Sequence, residues 1–133
     1  MNSLDTNIFV YSIDSSHGAK HFAARALIER AAKGKWLIAA QVYGEFFSVA
    51  TRKGMATREG AREMIETWSA MMPPLPSTVT AHAAALGLAS EKQMQYWDAL
   101  IVATCAEQGV KQLYTEDIPG SAKPLGVRCT SPW

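Results

Sequence analysis

The 133-residue chain sets 13 lysines and arginines against 12 aspartates and glutamates, a formal net charge of +1, with 48% hydrophobic and 19% charged residues. That composition is globular, its length suits one domain over residues 1–133, and its near-neutral balance excludes a bulk field for a polyanion, so nucleic-acid binding must rest on local patches. No run of about 18 apolar residues marks a membrane span, no signal-peptide pattern opens the chain, and only Cys105 and Cys129 are present, so the expectation is a reduced, cytoplasmic protein with no membrane partner.

The first apolar residues predict a short strand ending at Asp5, followed by a helix from about Asn7 to Ile13; Asp5, Thr6 and Asn7 all have side chains suited to capping a helix start. His17 to Lys33 predicts an amphipathic helix with Phe22, Ala23, Ala26, Leu27 and Ala31 inward, closed by Gly34. Trp36–Ala39 has the length of a strand. Gln41 to Lys53 predicts a helix whose stripe is Val42, Phe46, Val49 and Ala50, with Glu45 at its edge. A carboxylate so near a buried face needs a partner, a cation or a cleft.

Thr57 to Met72 predicts a helix with Ala61, Met64, Ile65, Trp68 and Met72 on one face, stopped by Pro73-Pro74-Leu75-Pro76. Ser77-Thr78-Val79 is a marginal strand or an extended link, and Thr80 caps an alanine-rich helix to Lys92. After Asp98 the chain runs Ala-Leu-Ile-Val-Ala-Thr-Cys-Ala, apolar on nearly every helical face, which predicts a helix buried in the middle of the domain and ended by Gly109. Lys111–Thr115 predicts a strand leading to Glu116-Asp117, a loop spans Ile118 to Gly126, and Val127–Cys129 is the last strand. Short strands alternating with helices indicate an α/β domain with a mainly parallel sheet.

Asp5 and Asp117 end strands, Asp98 starts a helix, and Glu45 lies in the first turns of a helix that follows a strand. In an open parallel sheet all these positions face the strand carboxyl ends, where ligands bind. Four carboxylates in one cleft raise one another's pKa, a conflict that divalent cations remove. An all-oxygen donor set favours Mg²⁺ or Mn²⁺ over zinc, and such a site suits phosphodiester hydrolysis. Asn7 and Thr115 are placed to orient a carboxylate or a water.

The segments Leu4-Asp5-Thr6-Asn7-Ile8-Phe9-Val10-Tyr11, Val42-Tyr43-Gly44-Glu45-Phe46, Tyr96-Trp97-Asp98-Ala99-Leu100-Ile101-Val102-Ala103 and Tyr114-Thr115-Glu116-Asp117 stand in order across almost the whole chain. In that arrangement the chain resembles the PIN-domain ribonucleases, and within them the VapC-type toxins of toxin–antitoxin pairs. The resemblance implies a central, mainly parallel sheet of four to five short strands flanked by helices on both faces. It implies a Mg²⁺- or Mn²⁺-dependent endoribonuclease that cuts a specific structured RNA of the tRNA or rRNA class, inhibits translation and is neutralised by a cognate antitoxin. It also implies a homodimer.

By position Asp5, Glu45, Asp98 and Asp117 match the family's acidic quartet as catalytic and metal-holding residues, Thr115 matches the hydroxyl residue supporting the last Asp, and Glu116 stands beside it as a secondary candidate. The chain departs from the family pattern after Asp117, where Pro119 to Pro124 makes a longer loop. Arg52, Lys53 and Trp97 are the first candidates for RNA contact, with Lys20, His21, Arg25, Arg58 and Arg62 behind them; core packing is the competing use of Trp97. The alternative function is a non-catalytic PIN scaffold that binds RNA or a protein. An aspartyl phosphatase would need an acid where Asn7 stands, and a DNA-flap nuclease would need insertions this chain lacks.

Overall fold

The computed structural model describes residues 1–91, 93–118 and 123–133. Its order is β1 (Asn2–Leu4), α1 (Thr6–Ile13), α2 (Ala19–Lys33), β2 (Ile38–Ala39), α3 (Ala40–Arg52), α4 (Arg58–Met71), β3 (Pro74–Leu75), α5 (Val79–Ser90), α6 (Tyr96–Glu107), β4 (Gln112–Tyr114) and β5 (Arg128–Thr130). Lys92, the expected end of the fifth helix, and residues 119–122 of the expected loop lie outside the described residues.

All strand pairing among the described residues is parallel, as expected for the α/β class, but the strands divide into a three-stranded ladder β1–β4–β5 and a two-stranded ladder β2–β3. The Ser3 hydroxyl donates to the Leu37 carbonyl at 2.6 Å and ties β1 to the segment entering β2. Asn2, Gln112 and Arg128 stand in register at one end of the larger ladder, and Leu4, Tyr114 and Thr130 at the other. That second end carries Asp5 and Thr115, whose backbone N–H groups donate to the Tyr114 and Thr130 carbonyls, both at 2.9 Å.

The apolar run after Asp98 is the buried helix its sequence predicts: every α6 residue from Ala99 to Cys105 is buried. Burial pushes the Cys105 thiol up to about 12, so it is an inert core group. Phe9 of α1 packs on Tyr43 of α3 and Trp68 of α4 at centroid distances of 5.5 and 4.8 Å, and Phe46 meets Trp68 at 4.9 Å. This aromatic cluster fixes α1 against α3, and so fixes Asn7 and Glu45 relative to each other.

Three local expectations are corrected. Phe22 is 68% exposed, and α2 instead turns His21, Ala24, Leu27, Ile28 and Ala31 inward; the His21 Nδ1 lies 2.8 Å from the Tyr11 carbonyl. Helix α5 is capped by Thr78, whose Oγ1 accepts from Ala81 N at 3.0 Å, two residues before the expected cap Thr80. The strand near the proline run is Pro74–Leu75 itself: the Pro73 carbonyl accepts from Ile38 N at 3.2 Å, and proline at the edge of a ladder sacrifices no donor that the sheet needs. Gly34 does close α2, for a packing reason: its φ is an ordinary −80°, but a Cβ there would stand 2.6 Å from Trp36 Nε1.

Candidate active site

Asp5 links two elements. It ends β1 and caps α1, with one carboxylate oxygen accepting from Thr6 N at 2.7 Å and the other from Thr115 Oγ1 at 2.6 Å. Only 3% of the residue is exposed. Burial raises its pKa to about 6 against the opposing pull of the Thr115 and Thr6 bonds, and the charges of Asp98 and Glu45 push the same way as burial. Thr115 also accepts from Asp117 N at 3.2 Å, so one buried hydroxyl sets both Asp5 and the turn carrying Asp117.

Glu45 lies in the second turn of α3, where Thr6 Oγ1 donates to it at 3.2 Å and Gln41 Nε2 donates to its other oxygen. Gln41 also donates to the Trp97 carbonyl at 3.0 Å, which ties α3 to the start of α6. Asn7 Nδ2 donates to Asp117 at 3.2 Å. Asp98 occupies the first turn of α6, and its carboxylate has no hydrogen-bond partner among the described residues. Burial raises its pKa, and Asp117 and Glu45 raise it further. The quartet is thus one electrostatic cluster: Asp5 is within the field of Asp98 and Glu45, and Asp98 within that of Asp117 and Glu45.

The adjoining cleft, of about 370 Å³, is lined by Asn7, Tyr11, His17, Glu45, Lys53 and Asp117 among others. Asp14 caps the short 3₁₀ turn Ser15–His17, pairs with His17 Nε2 at 3.1 Å and also lines the cleft. Glu116 points elsewhere, as neighbouring residues at a strand end must. It accepts from Tyr11 Oη, from Lys20 Nζ at 3.1 Å and from Trp133 Nε1 at 3.0 Å. Burial works against its charge, but these donors outweigh it and hold the carboxyl below its usual range.

Of the RNA-contact candidates, Lys53 lines the cleft and Arg52 is exposed beside it. Trp97 is 59% exposed, so core packing is not its use. His21 is buried, Lys20 is paired with Glu116, and Arg62 is paired with Glu66 at 2.9 Å. Arg25 lines a larger, separate groove of about 530 Å³ with Glu29, Glu63 and Trp68, and Arg58 is exposed at the start of α4. Gln41 and Thr6 are partners of Glu45 that sequence reasoning missed. The available signal was spacing: Gln41 is one helical turn before Glu45, and Thr6 follows the capping Asp5.

The donor set suits a hard divalent cation. It is made of carboxylate oxygens alone, and the buried Asn7 Oδ1 and Gln41 Oε1, each on a side chain already bonded to the quartet, have no partner of their own. Such acceptors suit the waters a Mg²⁺ ion retains. Among the described residues no three His, Cys, Asp or Glu side chains stand as a ready-made metal cage. A hydrated Mg²⁺ held through one or two carboxylates does not require one.

Thr115→Val keeps the shape and removes the hydroxyl. It is expected to leave a buried Asp5 oxygen and Asp117 N short of a partner, to cost about 1–3 kcal/mol of stability in urea denaturation at neutral pH, and to raise the Asp5 pKa further, because the Thr115 bond opposes that rise.

A family model for the PIN domain matches residues 3–118. Among curated proteins none matches. Three solved structures are similar to the chain. The Mycobacterium tuberculosis toxin VapC20, which cleaves the sarcin–ricin loop, has a TM-score of 0.72 at 19% identity, over 96% of this chain and 99% of that one. A chain of VapBC2 from Rickettsia felis, bound to a DNA fragment from their promoter, has a TM-score of 0.70 at 17% identity, over 99% and 98%. A chain of a toxin–antitoxin complex from Klebsiella pneumoniae has a TM-score of 0.70 at 18% identity, over 100% and 98%. These likenesses establish the fold.

Proposed function

The chain belongs to the PIN-domain family, and from that membership we propose that residues 1–133 form a single Mg²⁺- or Mn²⁺-dependent endoribonuclease domain of the VapC-toxin type. The observation that carries the proposal is the quartet itself: four carboxylates from four segments share one electrostatic field at the carboxyl end of the sheet, with Asp5 buried and held near pKa 6. Such crowding opposes folding of the apo protein and is relieved by a cation.

In this reading Asp98 and Asp5 are the principal metal ligands. A divalent cation held by these carboxylates would supply positive charge against the phosphate oxygens and would lower the pKa of water. Thr6 N and Thr115 hold Asp5 in one orientation, Asn7 aims Asp117, and Thr6 with Gln41 aims Glu45. Asp117 and Glu45 complete the ligand set or orient water. Hydrolysis joins water oxygen to phosphorus, breaks one phosphodiester P–O bond and delivers a proton to the leaving oxygen. Lys53 and Arg52 attract phosphate toward the cleft, and exposed Trp97 stacks on an unpaired base.

The substrate is a structured RNA of the tRNA or rRNA class, whose cutting inhibits translation in the cytoplasm. VapC20, a toxin that cleaves the sarcin–ricin loop, supports this choice. A cognate antitoxin is part of the proposal, supported by two similar structures that come from toxin–antitoxin assemblies. A homodimer is also proposed; Val79 and Leu86 of α5, 84% and 49% exposed and seven residues apart, offer an apolar stripe for it. Among the described residues no helix is long and apolar enough to cross a membrane.

Calorimetric titration of Mn²⁺ into partner-free protein separates this reading from a non-catalytic scaffold. Saturable binding that Asp98→Asn weakens is expected, and no binding in wild type would favour the scaffold. Replacing Arg52 and Lys53 together by alanine is expected to lower the slope of log binding constant against log salt by about 1–2. An unchanged slope would remove that pair from the RNA path.

A further inference from the structure

At the end of the sheet opposite the quartet, a recess of about 300 Å³ is lined by Asn2, Lys111, Gln112, Lys123, Gly126 and Arg128. Among the described residues it contains three cations, two side-chain amides, a glycine and no acid. All three cationic residues are exposed, and none forms an ion pair among the described residues. Elsewhere Lys20 and Arg62 are matched to glutamates, and Arg30 lies 5.7 Å from the centre of the Trp36 ring.

The backbone builds this convergence. Asn2, Gln112 and Arg128 are register partners at the strand starts, and Arg128 N donates to the Lys111 carbonyl at 2.9 Å, which holds those two residues side by side. The turn before β5 brings Lys123 to the same place: Gly126 N donates to the Lys123 carbonyl at 3.0 Å, with Leu125 at φ 52° and Gly126 at φ 81°, both left-handed. A leucine in that conformation is uncommon. Gln112 is itself fixed, through its Nε2 donating to Thr130 Oγ1 at 3.1 Å.

We infer that this recess is a second anion site, which takes a backbone phosphate of the RNA at a distance from the cut. The inference rests on the ribonuclease reading. Among the described residues its lining offers charge and amide donors and no apolar side chain, which suits a phosphate better than an acidic peptide whose neighbouring side chains need contacts of their own. Because the recess and the cleft lie at opposite ends of the sheet, only RNA long enough to pass round a domain roughly 35 Å across engages both. The site therefore selects for long or folded RNA.

Fluorescence anisotropy in chelator tests this, with wild type and the triple variant Lys111→Ala, Lys123→Ala, Arg128→Ala, using a long RNA hairpin and a pentanucleotide. For the hairpin the triple variant is expected to lower the log–log salt slope by about 1 and to bind at least about tenfold more weakly; the pentanucleotide, which fills only one site at a time, is expected to lose clearly less. An unchanged hairpin slope overturns the inference, as does equal loss for both RNAs. Inorganic phosphate and a polyglutamate peptide are the competing probes: binding of either at the recess with no change in the hairpin slope assigns the site to free phosphate or to protein and overturns its assignment to RNA. Arg128→Glu alone, at an exposed position, gives the same reading if the triple variant does not fold. Since no metal is present, failure of cleavage in a separate Mn²⁺ assay would defeat the ribonuclease reading without touching this result.

Discussion

Asp98→Asn is expected to reduce RNA cleavage by at least about a hundredfold in saturating Mn²⁺, the scale of losing a group that acts on the reacting centre, while the protein folds and melts at or above the wild-type temperature. The two halves of this expectation have different causes. Asp98 is the one quartet carboxylate with no hydrogen-bond donor among the described residues, so its oxygens are free for a cation, and its loss removes no internal bond. Its charge is disfavoured first by burial and then by Asp117 and Glu45, so an amide of the same shape relieves the apo protein. Wild-type activity would return Asp98 to the role of a first-turn helix residue. A sharply lower melting temperature would contradict the repulsion.

Asp5→Asn is expected to stabilise the metal-free protein by up to about 3 kcal/mol at pH 7 and to abolish cleavage. The folded pKa of Asp5 is about 6 against an ordinary value of 3.8, with burial the largest cause; at about 1.4 kcal/mol per tenfold change in proton affinity, that interval sets the figure. Between pH 3.8 and about 6 the folded protein holds a proton that the unfolded chain releases. The Asp5 contribution therefore makes wild type less stable as pH rises through that window, with the full penalty above it. The advantage of Asp5→Asn should vanish at about pH 3.5 and reach its maximum above about pH 6.5. Urea denaturation across this range measures it. Asp5→Asn keeps one acceptor oxygen, enough for Thr6 N, and turns its NH₂ toward Thr115 Oγ1, so its gain falls short of the full figure; Asp5→Ala should gain less still, because it leaves neither bond. With saturating Mn²⁺ present the order should reverse, since wild type binds the cation more tightly and is stabilised more by it.

The acidic quartet was legible because its members stand at element boundaries, where sequence signals are strongest: Asp5 between a strand and a helix cap, Asp98 at the head of an apolar run, Asp117 past a short strand. Glu45 was legible from its conflict with an apolar stripe. What was illegible depended on contacts between distant segments. Gln41 became a site residue only because the start of α6 comes within reach of its amide, and Trp97 was left outside the core because α6 buries itself from Ala99 onward. In α2 the alanines fit either face, so periodicity placed Phe22 inside; the Tyr11 carbonyl, which meets His21, belongs to another helix. The strand at Pro74–Leu75 was hidden because proline argues against strands from the donor side, whereas here the Pro73 carbonyl carries a bond.

The most direct measurement is cleavage of a mixed RNA pool by wild-type protein stripped of any co-purified partner, run in Mn²⁺, in Mg²⁺ and in chelator. Cuts at discrete sites in either metal and none in chelator are the predicted result, and mapping them would identify the RNA. Cleavage that persists in chelator, or a protein that neither cuts the pool nor binds Mn²⁺, would contradict a divalent-cation site built from Asp5, Glu45, Asp98 and Asp117.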